Sequence, residues 1–388
     1  MAIKILSVDD EQDLEILLTQ YFRRQIRKGI YEFSFAHNGQ EALEMLLAKK
    51  DFDIILSDIN MPEMDGLTLL TKINEMRNPA LKCIMVSAYG DMGNIRTAMN
   101  NGAFDFATKP IDLDDLSRTI EKAVEQIKFV KSSQQEHRQL ESLKDDLAIA
   151  GEIQQAILPR EFPPFPDLQA EVDIFASMTP AKDVGGDFYD FFRIDDERIG
   201  FVMADVSGKG VPAALFMAVS RTVIRSTGLR GLSSSECMTY ANKLLCHESL
   251  DCMFVTVFYG IYNMKTGEID YTNAGHNPPY LLKHDNIVEP LQTSTNCMVG
   301  VFDDFEYKSD TLVLEPGDAL ITYTDGVTEA FNNEKQMFKE SGLEDTLRSV
   351  PGAGSQEIVE SIKEDLTDFV DGAPQSDDIT ILTLKRNK

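Results

Sequence analysis

Residues 112 to 158 contain no glycine before Gly151, and proline returns only at Pro159. So long a stretch without a helix breaker predicts one long helix, and it separates two regions that must build their own cores. At roughly 100–200 residues per domain, a chain of 388 residues calls for two or three domains. Within the stretch, Leu140, Leu143, Leu147 and Ala150 follow a 3-4-3 spacing that continues loosely to Ile153 and Ile157. That spacing suits a homodimer seam, although Ser132, Ser133, Gln134 and His137 break the face before it. An ordinary helix lying on a flanking domain is the other reading. Pro159, Pro163, Pro164 and Pro166 end the helix and mark a boundary.

The charge balance narrows the function classes. Thirty-seven basic against 64 acidic residues leave a net charge of −27. Such a chain would repel nucleic-acid phosphates and lacks the makings of a polybasic membrane anchor. No apolar run approaches the roughly 18–20 residues that span a bilayer, and the start MAIKILSVDDEQD turns acidic before any signal-like segment develops. A soluble, cytoplasmic protein without nucleic-acid or membrane partners is expected. The five cysteines (Cys83, Cys237, Cys246, Cys252, Cys297) form no CxxC pair, and the five histidines are scattered. A disulfide framework and the usual zinc spacings are therefore excluded. Any metal site must be made of carboxylates.

Before the long helix, short β-branched runs (Ile3–Val8, Tyr31–Ala36, Asp53–Ser57, Cys83–Ser87, Phe104–Thr108) alternate with amphipathic segments such as Gln40–Lys49 and Gly66–Arg77. This order predicts a doubly wound parallel α/β sheet whose chemistry lies at the carboxyl ends of its strands. Asp9 and Asp10 end the first strand, Asp58 the third, Ser87 the fourth and Lys109 the fifth. Three carboxylates brought together call for a hard cation such as Mg²⁺. Beside it Asp58 becomes a usable nucleophile towards a phosphoryl group, with Lys109 and the Ser87 hydroxyl placed to hold the phosphoryl oxygens.

The strings VDDE (Val8–Glu11), SDINMPEMDG (Ser57–Gly66), SAYG (Ser87–Gly90) and TKP (Thr108–Pro110) resemble the two-component receiver domain over about residues 2–125. The resemblance implies that Asp58 is the phosphoacceptor, with a sensor histidine kinase as donor. It implies further that Asp9, Asp10 and Asp58 bind Mg²⁺ with the backbone carbonyl of Asn60. Ser87 and Lys109 then sense the phosphate, Lys109–Pro110 is a cis peptide, and Phe106 is the switch aromatic.

After the prolines the pattern changes. Strand-like segments such as Ile199–Val206, Phe254–Asn263, Glu268–Ala274, Ala319–Thr324 and Ile379–Leu384 surround two helical stretches, Ala213–Thr227 and Ser234–Leu245. A largely antiparallel α+β domain is expected. Acidic motifs stand at Asp187 (VGGDFYD), Asp205 (ADVSGKG), Asp325 (YTDGVTEA) and Asp377–Asp378 (QSDDITIL), and the Gly185–Gly186 pair permits close backbone packing. Buried carboxylates without basic neighbours demand a cation. Four of them suit two divalent ions roughly 3.5–4 Å apart, which make a bridging water nucleophilic towards phosphorus. Turn aspartates are the competing reading.

Together with AGEIQQAILP (Ala150–Pro159), PAKDVGGDFYD (Pro180–Asp190), ADVSGKGVPAAL (Ala204–Leu215) and NAGHNPP (Asn273–Pro279), these motifs resemble the bacterial PPM metal-dependent Ser/Thr phosphatases of the sporulation stage II E and stress-response type. The resemblance covers about residues 145–385. It implies that Asp187 and Asp205, with the backbone carbonyl of Val206, and Asp325 and Asp377 hold two Mn²⁺ or Mg²⁺ ions; Asp377 rather than Asp378 is the family's ligand position. His276 invites a general-acid role, with a structural turn as the alternative.

The combined expectation is a multidomain response regulator. It has a receiver at 1–125, a helical linker at 126–158 and a PPM-type phosphatase at 159–388. Phosphorylation would reposition the regulatory helix AGEIQQAILP on the phosphatase core, and the substrate implied is a phosphorylated anti-sigma factor antagonist in partner switching. A non-enzymatic, phosphorylation-gated adaptor built on a phosphatase-like fold is the rival. A DNA-binding output fails for want of a helix-turn-helix pattern and of positive charge.

Overall fold

A computed structural model of the chain describes residues 2–48, 51–88, 91–248 and 253–388. Lys49, Tyr89 and Gly90 of the expected segments, and Cys252, lie outside the described residues. The chain divides into two compact units, Met1–Leu143 and Lys144–Lys388.

The first unit runs β1 (Ile3–Val8), α1 (Gln12–Tyr21), α2 (Arg23–Arg27), β2 (Tyr31–Ala36), α3 (Gly39–Ala48), β3 (Ile54–Asp58), α4 (Gly66–Glu75), β4 (Lys82–Ala88), α5 (Met92–Asn100) and β5 (Asp105–Lys109). The strands form one parallel sheet in the order β2-β1-β3-β4-β5. Every residue of β3 is buried, as a central strand covered on both faces requires. Leu46, Leu69, Leu70 and Ala98 bring α3, α4 and α5 onto one face. Leu18, Leu116, Ile120 and Ile127 bring α1 and the following helix onto the other.

That following helix, α6, is unbroken from Leu113 to Ile157, as the lack of breakers predicts, and residues on either side of Leu143 belong to different units. Leu140, Leu143 and Ile153 of the expected seam are exposed on it.

The second unit contains β6 (Val172–Thr179), β7 (Phe188–Arg193), β8 (Arg198–Val206), α7 (Val211–Gly228), α8 (Ser234–Glu248), β9 (Val255–Asn263), β10 (Glu268–Ala274), β11 (Tyr280–Leu282), β12 (Val288–Pro290), β13 (Asp310–Val313), β14 (Ala319–Tyr323), α9 (Asp325–Thr328), α10 (Lys339–Ser349), α11 (Ser355–Val370) and β15 (Ile379–Arg386). Two antiparallel sheets, β13-β10-β9-β8-β7 and β12-β11-β14-β15-β6, share one apolar core that includes Met203 and Phe258 of the first and Ile174 and Leu382 of the second. Helices α7 and α8 pack on the first sheet, and α11 packs on β6 and β15 of the second. The result is a four-layer α/β/β/α arrangement. Two helices are expected here; the structure adds α9, α10 and α11. Helix α11 forms because Ile358, Val359, Ile362 and Leu366 fall on one face and are buried against the second sheet.

Candidate functional sites

Parallel register brings the ends of β1, β3, β4 and β5 to one edge. Asp9, Asp10 and Asp58 there offer ligand oxygens within 4.8 Å of one another, the only such acidic, histidine or cysteine trio among the described residues. Lys109 Nζ lies 2.7 Å from Asp58 Oδ2, 3.0 Å from Asp9 Oδ2 and 3.2 Å from Glu11 Oε1. Burial works against the Lys109 charge, yet the hydrogen bonds and charges of Asp58 and Asp9 outweigh it and raise its pKa. For Asp9 burial wins: its pKa rises despite the ion pair. Asn60 N–H donates to Asp58 Oδ1 at 3.2 Å. A Cβ on Gly66 would collide with the Asp58 carbonyl oxygen, so the start of α4 comes up against the end of β3 only because residue 66 is glycine. The Ser87 hydroxyl is fully buried and has no hydrogen-bond partner, an unusual condition for a core hydroxyl and a suitable one for a group that awaits an acceptor. Phe106 is partly buried on β5, and Lys109–Pro110 is cis. Asp9, Asp10, Asp58 and Lys109 come together here, with Ser87 and Phe106 on the neighbouring strands β4 and β5; Glu11, inside the VDDE string, is a partner of Lys109 that the sequence did not single out.

The second site lies where β7, β8, α9 and β15 begin or end. Asp187 immediately precedes β7, Asp205 is in β8, Asp325 opens α9, and Asp377–Asp378 immediately precede β15. Glycines bring these segments together. A Cβ on Gly186 would stand 2.9 Å from the Val206 carbonyl oxygen, and one on Gly326 would collide with the Asp378 carbonyl. Asp187 is 2% exposed and accepts a 2.7 Å hydrogen bond from Thr380 Oγ1. Burial, then the charges of Asp205 and Asp378, drive its pKa well above the carboxylate range. Asp205 is pushed up to about 7, by burial first and then by the charge of Asp325, although a hydrogen bond with Asp187 works the other way. Asp325 is raised by burial and by Asp377. The charge of Asp205 thus acts on Asp187, that of Asp325 on Asp205 and that of Asp377 on Asp325, and among the described residues no three of the four offer ligand atoms within 4.8 Å of one another. An oxygen-only donor set short of positive charge fits hard divalent cations.

Asp377 and Asp378 have opposite environments. Asp378 is buried and already engaged: its Oδ1 accepts from Ala181 N–H at 2.8 Å and its Oδ2 from Gly186 N–H at 2.7 Å and Asp187 N–H at 3.4 Å. It clamps the VGGD turn. Asp377 is half-exposed, with Oδ2 2.8 Å from Lys209 Nζ. His276 is in neither role of a free acid. Its Nε2–H donates to the Tyr323 carbonyl at 3.0 Å, and its Nδ1 accepts from Thr256 Oγ1 at 2.9 Å. Burial holds its pKa down at about 4, and Asn273 closes the turn around it. The structural-turn reading of NAGHNPP fits this geometry.

Gln154, inside AGEIQQAILP, makes a contact beside the Asp187 turn that the sequence did not announce. Its buried side-chain amide donates to the Gly185 carbonyl at 2.6 Å and accepts from Gly185 N–H at 2.9 Å. Three residues earlier on α6, a Cβ on Gly151 would collide with the Asp183 carbonyl, so the helix lies directly on the turn that carries Asp187.

Comparison with known proteins agrees with both halves. Residues 5–121 match the response regulator receiver domain, and residues 195–387 match stage II sporulation protein E (SpoIIE). Protein IcfG of Synechocystis is 34% identical over 263 residues, 61% of this chain and 40% of that protein. Phosphoserine phosphatase RsbU of Bacillus subtilis is 30% identical over 278 residues, 70% of this chain and 81% of RsbU. The chain thus spans less than half of IcfG but most of RsbU. The SiaA-PP2C domain of Pseudomonas aeruginosa superimposes with a TM-score of 0.55 at 23% identity, covering 63% of this chain and 98% of that one, which fixes the fold. The candidate adopts a receiver fold followed by a PP2C fold, and no helix among the described residues is long and apolar enough to cross a membrane. The chain belongs to the SpoIIE-type, RsbU-like family of PP2C phosphatases and carries a response-regulator receiver domain before its phosphatase domain.

Proposed function

We propose that the chain is a metal-dependent phosphoserine/phosphothreonine protein phosphatase switched by phosphorylation of Asp58, acting in the cytoplasm. The observation that carries the reading is the gathering of Asp187, Asp205, Asp325 and Asp377, whose charges act on one another with Lys209 as the one cation paired to them among the described residues. Asp187, Asp205 and the Val206 carbonyl, with Asp325 and Asp377, would hold two Mn²⁺ or Mg²⁺ ions. When bound, such ions supply a water that is nucleophilic near neutral pH and offset charge on the phosphoryl oxygens. The protein's own contribution is to hold the carboxylates in place: Thr380 orients Asp187, and Asp378 fixes the backbone around it.

In the receiver, Asp9, Asp10, Asp58 and the Asn60 carbonyl would hold Mg²⁺. Asp58 accepts the phosphoryl group from a sensor histidine kinase, and Lys109 and the unpartnered Ser87 hydroxyl receive its oxygens, with Phe106 following Ser87. The three segments 1–125, 126–158 and 159–388 act as sensor, linker and output. Exposed Leu140, Leu143 and Ile153 on α6 form the homodimer seam, and Gln154 carries the state of α6 to the Asp187 turn. The substrate class, a phosphorylated anti-sigma factor antagonist, rests on likeness to the RsbU family.

Hydrolysis of p-nitrophenyl phosphate and of a phosphoserine protein, with and without Mn²⁺, tests the enzyme. Metal-dependent turnover by the wild type and its loss in Asp205→Ala are expected. Binding of a phosphoprotein without turnover in any metal would instead make the chain an adaptor.

A further inference from the structure

The reaction proposed above must draw a phosphoryl dianion to a group of carboxylates. Asp187, Asp205, Asp325 and Asp377 would offset two divalent cations charge for charge, and Asp378 adds one more negative group beside them. The metal centre therefore has no surplus positive charge with which to attract its substrate. Among the described residues one cation is ion-paired to any of these five aspartates: Lys209, whose Nζ lies 2.8 Å from Asp377 Oδ2 and donates to the Ser376 carbonyl at 2.8 Å.

Lys209 stands on a purpose-shaped turn between β8 and α7. Gly208 and Gly210 on either side of it hold φ at +90° and +80°, a backbone region that glycine enters without strain. A Cβ at either glycine would meet nothing within 4 Å, so these glycines serve the turn's conformation and not its packing. The turn is anchored at its first residue: Ser207 N–H donates to the Phe254 carbonyl at 2.9 Å and Ser207 Oγ accepts from Phe254 N–H at 3.0 Å. The Lys209 side chain itself is 47% exposed. An ammonium carries three donors, and two are engaged here, which leaves one for an incoming acceptor.

We propose that Lys209 binds the phosphoryl group of the substrate phosphomonoester at the rim of the metal site, supplying the positive charge that the metals and their aspartates do not. This rests on the phosphatase reading. The competing role is a tether that merely holds Asp377 in place.

The test uses the full chain saturated with Mn²⁺ and inorganic phosphate as the probe. Phosphate binding is measured by equilibrium dialysis, Mn²⁺ binding by titration calorimetry, and KM and kcat with p-nitrophenyl phosphate, for wild type, Lys209→Ala and Lys209→Arg. The wild type should bind phosphate, and Lys209→Ala should weaken that binding by about tenfold, a loss of one charged hydrogen bond. KM should rise by the same factor and Lys209→Arg should recover most of it, while Mn²⁺ affinity stays within about twofold of wild type, because on this reading the ion pair with Asp377 is not what holds the metal. Unchanged phosphate binding in Lys209→Ala, no phosphate binding by the wild type, or a loss that follows Mn²⁺ affinity would each overturn the proposal. A wild type that binds Mn²⁺ and phosphate through Lys209 but hydrolyses no phosphoester would defeat the phosphatase reading and leave Lys209 a phosphate-binding residue of a non-enzymatic protein.

Discussion

Gln154 and Gly185 hold each other through two reciprocal hydrogen bonds, of 2.6 and 2.9 Å, between a side-chain amide on α6 and a backbone amide two residues before Asp187. Both partners are buried, so neither pair can be replaced by water. Gln154→Ala would leave the Gly185 N–H and C=O unsatisfied at a cost of about 1–3 kcal/mol each. Turnover of p-nitrophenyl phosphate should fall by about tenfold or more, since 1.4 kcal/mol at the site is already tenfold. Circular dichroism should stay that of the folded protein. A fully active Gln154→Ala protein would remove α6 from the account of control.

Gly151 makes the same contact sterically. Gly151→Val places side-chain carbon where the Asp183 carbonyl stands, so α6 cannot seat on the turn. Its activity loss should match that of Gln154→Ala, and the double variant should be little worse than either alone, because both break one docking event. Additive losses in the double-variant cycle would mean two independent effects.

Asp377→Asn and Asp378→Asn should separate cleanly. Asp378 accepts three backbone N–H groups, so its replacement turns an amide towards donors and should lower the melting temperature measured without metal. Asp377→Asn should leave that melting temperature nearly unchanged and instead raise the Mn²⁺ concentration needed for half-maximal activity. The reverse pattern would make Asp378 the ligand.

His276 should make the fold sensitive to mild acid. Its pKa is about 4 in the fold, from burial, against about 6.5 when unfolded. The unfolded chain therefore takes the proton first. The stabilisation is complete above pH about 6.5 and is lost as pH falls through about 4, a change of order 3 kcal/mol. Urea unfolding of wild type and His276→Asn should show a larger gap at pH 7.5 than at pH 4.5; a gap independent of pH would contradict the buried neutral imidazole.

The parallel sheet and the acidic cluster at its edge could be read from the chain because β1 and β3 are compact apolar runs that end at the acidic residues, as at Val8–Asp9 and Ser57–Asp58. The long helix followed from an absence of breakers alone. Helix α11 carries a helical period in Ile358, Val359, Ile362 and Leu366, but its role is visible only once a second sheet stands there to cover. Gln154 was illegible for a different reason: its partner is a backbone group 31 residues away, and backbone groups leave no mark in a sequence. The division of labour between Asp377 and Asp378 is likewise set by three N–H groups from around residues 181–187.

Control of the aspartates at 187, 205, 325 and 377 by Asp58 stands at the centre of the proposed function. The most direct measurement is the rate of phosphoserine-protein hydrolysis in Mn²⁺ with and without beryllofluoride, a phosphoryl mimic, for wild type and Asp58→Asn. The account predicts that the mimic changes the wild-type rate, that Asp58→Asn does not respond, and that a glycine-rich break near Gln134 abolishes the response while leaving basal turnover intact. A wild-type rate indifferent to the mimic, with the mimic shown to occupy the receiver, would contradict it.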